Sequence, residues 1–397
     1  MFESASRIGG HTATVDVELG TKRYAVDTGF IVYNDWTYPG FIELMDRIGM
    51  KGKATSMSFS VSDALTGLEY AGSNLDTLFA QRRNLVSPRF LGMIRDILRF
   101  NRESIADLES DRIAGDTTVR EYLERNGYGA AFRDQYLVPM GSAIWSADTD
   151  AMLDFPLQFF VRFFRNHGLL SVKNRPQWRV IEGGSREYLT PLTAGFKDNI
   201  RCNAKITGIR RHNTYVEITS EAGVERFDQV VLACHSDQAL ALLEDPTTSE
   251  REILSAIPYQ DNEVVLHTDT RMLPENRKTW SSWNYHLTST DQRAIVTYNM
   301  NILQGIQAPE TFCVTLNHTG AINPSKILGR FNYAHPMFTL AGMKAQERWN
   351  EINQGPTWFC GAYWRNGFHE DGVHSARRVA DAISSMQENR LELGSAA

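Results

Sequence analysis

The sequence predicts an α/β protein of two domains, each assembled from separated pieces of chain. Its 397 residues exceed what one compact core usually holds. Strand patterns joined to helices occur at the start, the middle and the end of the chain. A mostly helical stretch and a second set of strands lie between them. This interleaving is typical of two domains that the chain enters more than once.

The composition excludes several classes of protein. Hydrophobic residues make up 42% and charged residues 22%, which is ordinary for a globular chain and unlike a disordered or fibrous one. The formal net charge of -6 is mild and scattered, so we predict no nucleic-acid partner. No apolar run is long enough to span a bilayer, and no signal segment opens the chain. We therefore expect a cytoplasmic protein without a transmembrane segment.

The cysteines favour the same location. Cys202, Cys234, Cys313 and Cys360 lie far apart, and no CxxC pair occurs. The sequence therefore predicts neither a disulfide framework nor a metal site. We expect these residues to be small hydrophobic side chains in a reducing compartment.

Apolar residues at helical spacing predict helices, and alternation of apolar and polar residues predicts strands. Two long helical blocks cover 74–125, with breaks at Pro88 and Gly115, and 129–167, with breaks at Pro139 and Pro156. The other predicted helices are 39–48, a short one after residue 185, 237–243, 341–350 and 372–389. The predicted strands are 12–19, 23–26, two within 56–70 around a Thr66-Gly67 turn, 200–209, 215–219, 230–233, 263–267, 294–299, 312–317 and 357–361.

The first motif covers residues 3–11 and suits a dinucleotide. In dinucleotide-binding folds an acidic residue that ends the second strand accepts hydrogen bonds from ribose hydroxyls, and Glu3 has that place. Arg7 offsets phosphate charge, and Gly9-Gly10 let the backbone approach a pyrophosphate because no Cβ intervenes. The alternative is a charged turn with a flexible Gly-Gly, and this motif alone does not separate the two.

The spacing Glu-x-x-x-Arg-x-Gly-Gly resembles the second FAD-binding motif of the flavin amine oxidase and phytoene-desaturase superfamily. The resemblance implies a Rossmann-like FAD-binding domain, an α+β substrate domain and FAD as cofactor. In that superfamily a strand, a G-x-G-x-x-G turn and a helix precede the motif, roughly 25–30 residues in all. None of them stands before Glu3, which indicates a misplaced start, a fragment or a genuine short form. We expect weak or absent FAD in this form.

A second resemblance lies near the end of the chain. A strand that ends in Gly361 is followed by residues 367–373 and a helix, in the order of the superfamily's C-terminal flavin motif. A glycine-rich loop before a closing helix is the alternative. Ala362 stands where many relatives carry an acidic residue, so its contacts are expected from the backbone alone. The resemblance implies flavin contacts from Gly361, Ala362, His369, Asp371, Gly372 and Val373.

Other stretches complete the predicted cofactor site. The Gly183-Gly184-Ser185 turn resembles the point where superfamily chains return to the cofactor domain. The strand pair after it would place a backbone group of Ile206 against the adenine. The segment from Asp27 to Gly29 resembles the Asp-x-Gly turn beside the flavin. His11, inside the first motif, is expected to contact phosphate or the flavin edge.

The fuller pattern resembles one bacterial branch of predicted NAD/FAD-binding proteins. It includes residues 27–34, Trp145, 280–285 and 368–372. Similar domains occur fused to, or encoded near, cyclopropane fatty acyl synthases. The resemblance implies a small-molecule or acyl-lipid substrate and a lipid-modifying partner enzyme. The order of the motifs assigns 1–55, 176–256 and 340–397 to the FAD-binding domain, and 56–175 and 257–339 to the substrate domain.

Catalytic residues are poorly marked. Flavin amine oxidases often use a lysine near flavin N5, early in a substrate-domain strand, yet the matching stretch 259–267 has none. His267 and His286 are the ionisable candidates, because histidine titrates near neutral pH. A hydrogen-bonded structural role is the more frequent one for such residues. The candidates for the wall of an apolar channel, or simply for the core, are Trp280, Trp283 and Tyr285.

The sequence thus predicts an FAD-dependent oxidoreductase that abstracts hydride from an apolar, acyl-lipid or amine substrate. Two alternatives stay open. One is a non-catalytic flavoprotein or scaffold that assists a lipid-modifying enzyme, and the other is an inactive fragment. No pattern indicates the electron acceptor or the oligomeric state.

Overall fold

The computed structural model describes residues 1–288 and 293–395. The strands are β1 (Thr14–Leu19), β2 (Lys22–Asp27), β3 (Val32–Asn34), β4 (Gly52–Ala54), β5 (Phe59–Asp63), β6 (Leu68–Ala71), β7 (Trp178–Ile181), β8 (Ile206–Arg211), β9 (Val216–Ser220), β10 (Gly223–Phe227), β11 (Val230–Leu232), β12 (Tyr259–His267), β13 (Trp283–Leu287), β14 (Ile295–Asn299), β15 (Cys313–Leu316), β16 (Ile327–Pro336) and β17 (Thr357–Phe359).

The α-helices are α1 (Pro39–Arg47), α2 (Leu75–Leu78), α3 (Pro88–Glu109), α4 (Val119–Arg125), α5 (Ala130–Phe132), α6 (Val138–Trp145), α7 (Thr149–Leu153), α8 (Leu157–Asn166), α9 (Leu189–Thr193), α10 (Ser236–Leu242), α11 (Thr248–Ser255), α12 (Met300–Leu303), α13 (Leu340–Glu347), α14 (Trp349–Ile352) and α15 (His369–Ser395). Arg133–Leu137 is π-helical. Short 3₁₀ turns cover Arg82–Val86, Ser185–Tyr188, Lys197–Asn199, Thr270–Met272, Arg277–Thr279, Thr319–Ala321, Pro324–Lys326 and Ala362–Trp364.

The largest sheet in the described ranges has seven strands in the order β16-β12-β15-β14-β13-β5-β6. Its neighbours pair antiparallel except β13 and β5, which run parallel. The smaller sheets are the β1-β2 hairpin, the β8-β9-β10 meander, β3-β7-β4 and the parallel pair β11-β17. Phe2 adds a parallel bridge to Arg201. Mixed sheets and helices in this arrangement agree with the predicted α/β class.

Local signals explain where several helices begin. Pro39 occupies the first turn of α1, where its missing N–H costs nothing. The Ser87 side chain accepts a hydrogen bond from the Phe90 N–H and so caps α3. Thr118 and Glu121 form a reciprocal capping box at α4. No helix of the described chain is both long and apolar enough to cross a membrane.

Two predictions about elements were wrong, and one long strand was missed. Pro139 does not break a helix, because it lies in the first turn of α6 directly after the π-helical segment. The strand predicted from residue 200 begins only at Ile206. Strand β16 was not predicted at all. It pairs with β12 from Tyr259↔Pro336 to Leu266↔Gly329.

The largest core cluster packs the helices α3, α6 and α8 against one face of the seven-stranded sheet. A second cluster fills the space between β11, β17, α11, α14 and α15. Burial of each large aromatic side chain in these clusters stabilises the fold by roughly 2–3 kcal/mol. The fully buried aromatic residues include Phe100, Phe132, Phe160, Trp358 and Phe359.

Candidate functional site

Three stretches that are far apart in sequence meet at one hydrogen-bonded cluster. The Thr12 Oγ1 atom lies 2.5 Å from the Tyr188 hydroxyl, and that hydroxyl lies 2.5 Å from Nε2 of His369. The structure thus brings together the residue after the first motif, a residue close to the turn at 183–185, and the C-terminal flavin motif at 361–373, which we call the closing motif. We call this cluster the motif junction, and its members are Thr12, Thr14, Asp27, Ser185, Tyr188 and His369.

Asp27 is the hub of the motif junction. One carboxylate oxygen accepts from the Ser185 N–H and Oγ–H, both at 2.9 Å, and from Thr14 Oγ1 at 2.5 Å. The other accepts from Nε2 of Gln304 at 2.7 Å. Burial raises the pKa of Asp27 to about 6, against the lowering effect of these hydrogen bonds. The predicted cofactor residue Asp27 therefore uses its carboxylate to fix neighbouring segments.

The first motif forms a tight turn. Arg7 donates hydrogen bonds to the carbonyl oxygens of Gly10 at 2.9 Å and Thr12 at 3.1 Å. Glu3 lies before the turn, where its carboxylate accepts the Ala5 N–H at 2.8 Å. The guanidinium thus closes the turn from the exposed side, and Glu3 orders the chain that enters it.

Gly29 is required by a close backbone approach. The Phe30 N–H donates to the carbonyl oxygen of His11 at 2.7 Å. A Cβ on Gly29 would lie 2.2 Å from that same oxygen, which no packing adjustment of a side chain relieves. The predicted turn at Gly29 therefore lies directly against the first motif.

Other aromatic and histidine rings surround His11. Its ring centroid lies 4.9 Å from that of Tyr333, 5.6 Å from His335 and 6.1 Å from His235. Burial, followed by the nearby His235 and Arg7, lowers the pKa of His11 to about 4. Burial likewise lowers the pKa of His335 to about 3. These rings are therefore neutral at pH 7, and Nε2 of His11 is buried with no partner in the described structure.

The closing motif forms the start of α15. Asp371 is 3% exposed, and its carboxylate accepts the Phe368 N–H at 2.9 Å. Burial raises the pKa of Asp371 to about 6. The Glu370 carboxylate accepts the N–H groups of Gly40 at 3.0 Å and Phe41 at 2.7 Å. The motif thereby caps α1 and fixes α15 against it.

The remaining predicted contacts of this motif lie around the same helix start. The Gly361 N–H donates to Ser375 Oγ at 3.1 Å, and Ala362 opens a 3₁₀ turn. A Cβ on Gly372 would meet no atom within 4 Å. Val373 packs in the cluster beneath α1. Ile206 lies elsewhere, at the first position of β8 beside a register shift.

The two ionisable candidates have different surroundings. Nε2 of His267 lies 2.7 Å from Thr315 Oγ1, and its Nδ1 accepts the Asp269 N–H at 3.0 Å. Both ring nitrogens are thus engaged within the sheet. His286 borders a cavity of about 230 Å³, and its Nε2 is buried with no partner among the described residues. Burial lowers the pKa of each to about 4.

Trp283 and Tyr285 both pack on the largest core cluster, and Trp280 is not among the residues of that cluster. Trp280 lies outside β13, with the guanidinium of Arg277 5.4 Å from its ring centroid. Trp283 meets Tyr298 edge to face at 5.0 Å. Tyr285 is 3% exposed within the largest core cluster.

A cluster of aromatic side chains that was not among the predicted site residues extends to the closing motif. The Trp145 ring lies 4.6 Å from Phe155 and 4.7 Å from Phe163, and Phe163 stacks on Phe368 at 5.0 Å. The signal in the sequence is the phenylalanine-rich run 159–164 of α8. The aromatic cluster consists of Trp145, Phe155, Phe159, Phe160, Phe163, Phe164, Phe338 and Phe368.

A cavity of about 330 Å³ lies where the aromatic cluster meets the closing motif. Phe368 and His167 line it, and His167 stacks on Phe163 at 3.8 Å. Burial lowers the pKa of His167 to about 4. Asn166 and Arg365 also line the cavity, and the Arg365 side chain is 48% exposed. The cavity therefore combines an aromatic wall with a polar rim that carries the Arg365 guanidinium and the carboxylates of Glu370 and Asp371.

Comparisons with known proteins agree with this architecture. A sequence model of the family described as flavin-containing amine oxidoreductase matches residues 1–311. Putrescine oxidase bound to putrescine gives a TM-score of 0.67 at 13% identity, over 96% of this chain and 93% of that one. Cyclohexylamine oxidase from Brevibacterium oxydans IH-35A gives 0.65 at 15%, over 98% and 93%. The CLA-producing fatty acid isomerase from P. acnes gives 0.66 at 17%, over 97% and 91%. No curated protein matches the chain.

The described residues fit a flavin dinucleotide at the first motif. Gly9 and Gly10 have φ values of 107° and 53°, which favour glycine. A Cβ on Gly10 would meet no atom within 4 Å, so the turn faces open space. Arg7 supplies a cation there. His11, which follows Gly10, has a buried ring nitrogen with no partner in the described structure. A diphosphate needs this combination of cation, polar nitrogen and accessible backbone.

Proposed function

The chain belongs to the flavin-containing amine oxidoreductase family and is an FAD-dependent oxidoreductase, and we propose that its substrate is an acyl chain with an acidic head group. Bound FAD supplies the hydride acceptor. The residues of the protein bind and orient both molecules and exclude water from the reacting carbon.

The cofactor contacts in this proposal come from the three joined stretches. Glu3 faces the ribose, and Arg7 with Gly9-Gly10 faces the diphosphate. His11 lies beside the diphosphate as a neutral polar ring. The start of α15 faces the flavin, where free N–H groups of the first helical turn favour an electron-rich carbonyl. The motif junction that holds these stretches together supports the assignment.

The observation that carries the substrate proposal is the cavity between the aromatic cluster and the closing motif. Its aromatic wall continues through Phe163 into a cluster of phenyl and indole rings. Contact with such rings favours an alkyl chain through the hydrophobic effect. Arg365 at the rim lies 3.8 Å from the Asp371 carboxylate, and its half-exposed guanidinium suits a carboxylate or phosphate head group.

The two acidic residues that line this cavity are already engaged by backbone groups of the protein. Glu370 already accepts two N–H groups of α1, and Asp371 accepts the Phe368 N–H. Strand β12 also carries no lysine, and its residues Val264 to Leu266 are buried and apolar. The similarity to putrescine and cyclohexylamine oxidases favours an amine substrate as the second candidate.

Anaerobic flavin reduction tests the proposal. We expect oleate to bleach the visible absorbance of the FAD-loaded protein, and putrescine and cyclohexylamine to leave it unchanged. Arg365→Gln should raise the oleate concentration for half-maximal bleaching rate about tenfold, because it removes a charge-assisted contact. Arg377→Gln on the outer part of α15 is the matched control.

Each other outcome has a defined meaning. Bleaching by the amines alone would overturn the acyl-chain proposal in favour of amine oxidation. Bleaching by no compound would favour the non-catalytic flavoprotein, an alternative that the lack of a lysine on β12 supports. The cytoplasmic location and the lipid-modifying partner enzyme stay predictions.

A further inference from the structure

His369 is held by two aromatic rings and one hydrogen bond. Phe30 stacks on it with ring centroids 3.7 Å apart and planes at 10°. Phe41 meets the ring edge to face at 5.2 Å and 84°. The Nε2 atom lies 2.5 Å from the Tyr188 hydroxyl. The stack fixes the plane of the imidazole, and the hydrogen bond at Nε2 selects one of the two flipped orientations, so the directions of both ring nitrogens are set.

The Tyr188 hydroxyl lies between two partners. Tyr188 is 4% exposed, and its oxygen lies 2.5 Å from Thr12 Oγ1 as well as from His369. Burial raises the pKa of Tyr188 to about 12, so the phenol keeps its proton. Burial lowers the pKa of His369 to about 3, so the imidazole is neutral and carries a single N–H. The one phenol proton therefore serves one partner at a time.

The basicity of the three groups sets the direction of the chain. A neutral imidazole nitrogen is a stronger base than an alcohol or phenol oxygen. Tyr188 therefore donates its proton to Nε2 of His369, and the Thr12 hydroxyl donates to the Tyr188 oxygen. A neutral imidazole that accepts at Nε2 carries its own proton on Nδ1.

We infer that Tyr188 is a positioning residue that holds His369 in its Nδ1–H tautomer within the flavin site. The inference rests on the cofactor assignment of the proposed function. It gives the site a ring N–H donor fixed at the first residue of α15. Such a donor favours an electron-rich edge of the flavin and introduces no net charge.

Long-range ¹H–¹⁵N NMR of the full chain, labelled with ¹⁵N-histidine and loaded with FAD, tests this directly. His369→Gln assigns the signals. In the wild-type protein at pH 7 we expect a protonated Nδ1 and an unprotonated Nε2. Tyr188→Phe should lose the Nδ1–H signal in favour of Nε2–H, because the ring then has no donor at Nε2. Tyr33→Phe removes the same atom from the same hydrophobic cluster and should leave the His369 signals unchanged.

Two results would overturn the inference. One is a wild-type His369 protonated on Nε2, a measurement that needs no variant to fold. The other is an unchanged tautomer in Tyr188→Phe. The Nδ1 resonance should also shift when FAD is added to the flavin-free protein. An unchanged chemical shift would remove His369 from the cofactor site. No substrate is present, so these results are independent of the acyl-chain proposal.

Discussion

The motif junction and the aromatic cluster are both buried, yet they are held together by different forces. Asp27 accepts hydrogen bonds from Thr14, Ser185 and Gln304, which come from three separate stretches. Trp145 lies among phenylalanine rings, and its Nε1 has no partner among the described residues. Hydrogen bonds fix both distance and direction, whereas ring packing fixes mainly volume. A rigid cofactor needs the first, and a flexible chain is accommodated by the second.

Asp27→Ala has the largest expected effect. It removes one acceptor group from several buried donors, and unpaired buried donors cost about 1–3 kcal/mol each. We expect the free energy of unfolding to fall by about 3 kcal/mol, measured by urea denaturation. Asp46→Ala removes an exposed carboxylate and should stay within about 0.5 kcal/mol of wild type. Equal losses in the two variants would show that the junction carries no special stability.

The second largest expected effect is a loss of stability in acid, which comes from the buried histidine rings near the first motif. Burial lowers the folded pKa of His335 to about 3, from an ordinary 6.5. The unfolded chain then binds more protons, so this stability is present above pH 6.5 and is lost as the pH falls. Asp27 and Asp371, whose pKa is raised to about 6, act in the opposite sense. Their contribution is present at low pH and is lost as the pH rises through 6.

A variant isolates the histidine contribution. Between pH 7.5 and pH 5.5 one such histidine accounts for about 1.4 kcal/mol of lost stability. His335→Gln should therefore lose about 1.4 kcal/mol less than wild type over that interval, while both aspartate contributions cancel in the difference. Urea unfolding at the two pH values measures this difference. Equal losses of stability in the wild type and the variant would contradict a buried neutral ring.

Trp145→Phe should cost about 1 kcal/mol, because the smaller ring leaves a modest cavity and no hydrogen bond is lost. Trp358 is the matched control. It is also buried, but its Nε1 donates to Gln229 Oε1 at 2.8 Å. Trp358→Phe should cost about 1 kcal/mol more than Trp145→Phe, which is the value of that bond. Equal losses would indicate that Trp145 also has a polar partner.

Arg7→Gln should have the smallest effect on stability. The Arg7 side chain is exposed, with an exposed hydrogen bond to Gly10 and a partly buried one to Thr12, so we expect a change below about 0.5 kcal/mol. FAD affinity should nevertheless fall about tenfold, because the diphosphate loses a cation. Quenching of flavin fluorescence measures the affinity. Arg47→Gln on α1 is the control, and equal affinities in the two variants would remove Arg7 from the cofactor site.

Local chemistry made much of the fold predictable. The turn at Thr66-Gly67 was predicted between two strands, and β5 and β6 pair across it. The helix predicted at 39–48 is α1, which ends at Arg47. These elements depend on neighbours within a few residues, which periodicity and turn residues report.

Long-range pairing was not predictable in the same way. Tyr188 and His369 are 181 residues apart, and Asp27 and Gln304 are 277 apart, so no local pattern relates them. Strand β16 was missed although its residues 330–333 alternate between polar and aromatic side chains, the pattern that predicts a strand. Its identity depends on the facing strand β12. The cofactor motifs were recognised one by one, whereas the hydrogen bonds that join them required the structure.

Gln304 couples two segments that are far apart in the sequence. Its side-chain amide donates to the Asp27 carboxylate and accepts the Asp27 backbone N–H at 2.9 Å. Asp27 is the last residue of β2 in the β1-β2 hairpin, and Gln304 follows α12, far along the chain. Neither segment satisfies these buried groups without the other. Heating should therefore melt the β1-β2 hairpin and the large sheet in one cooperative transition.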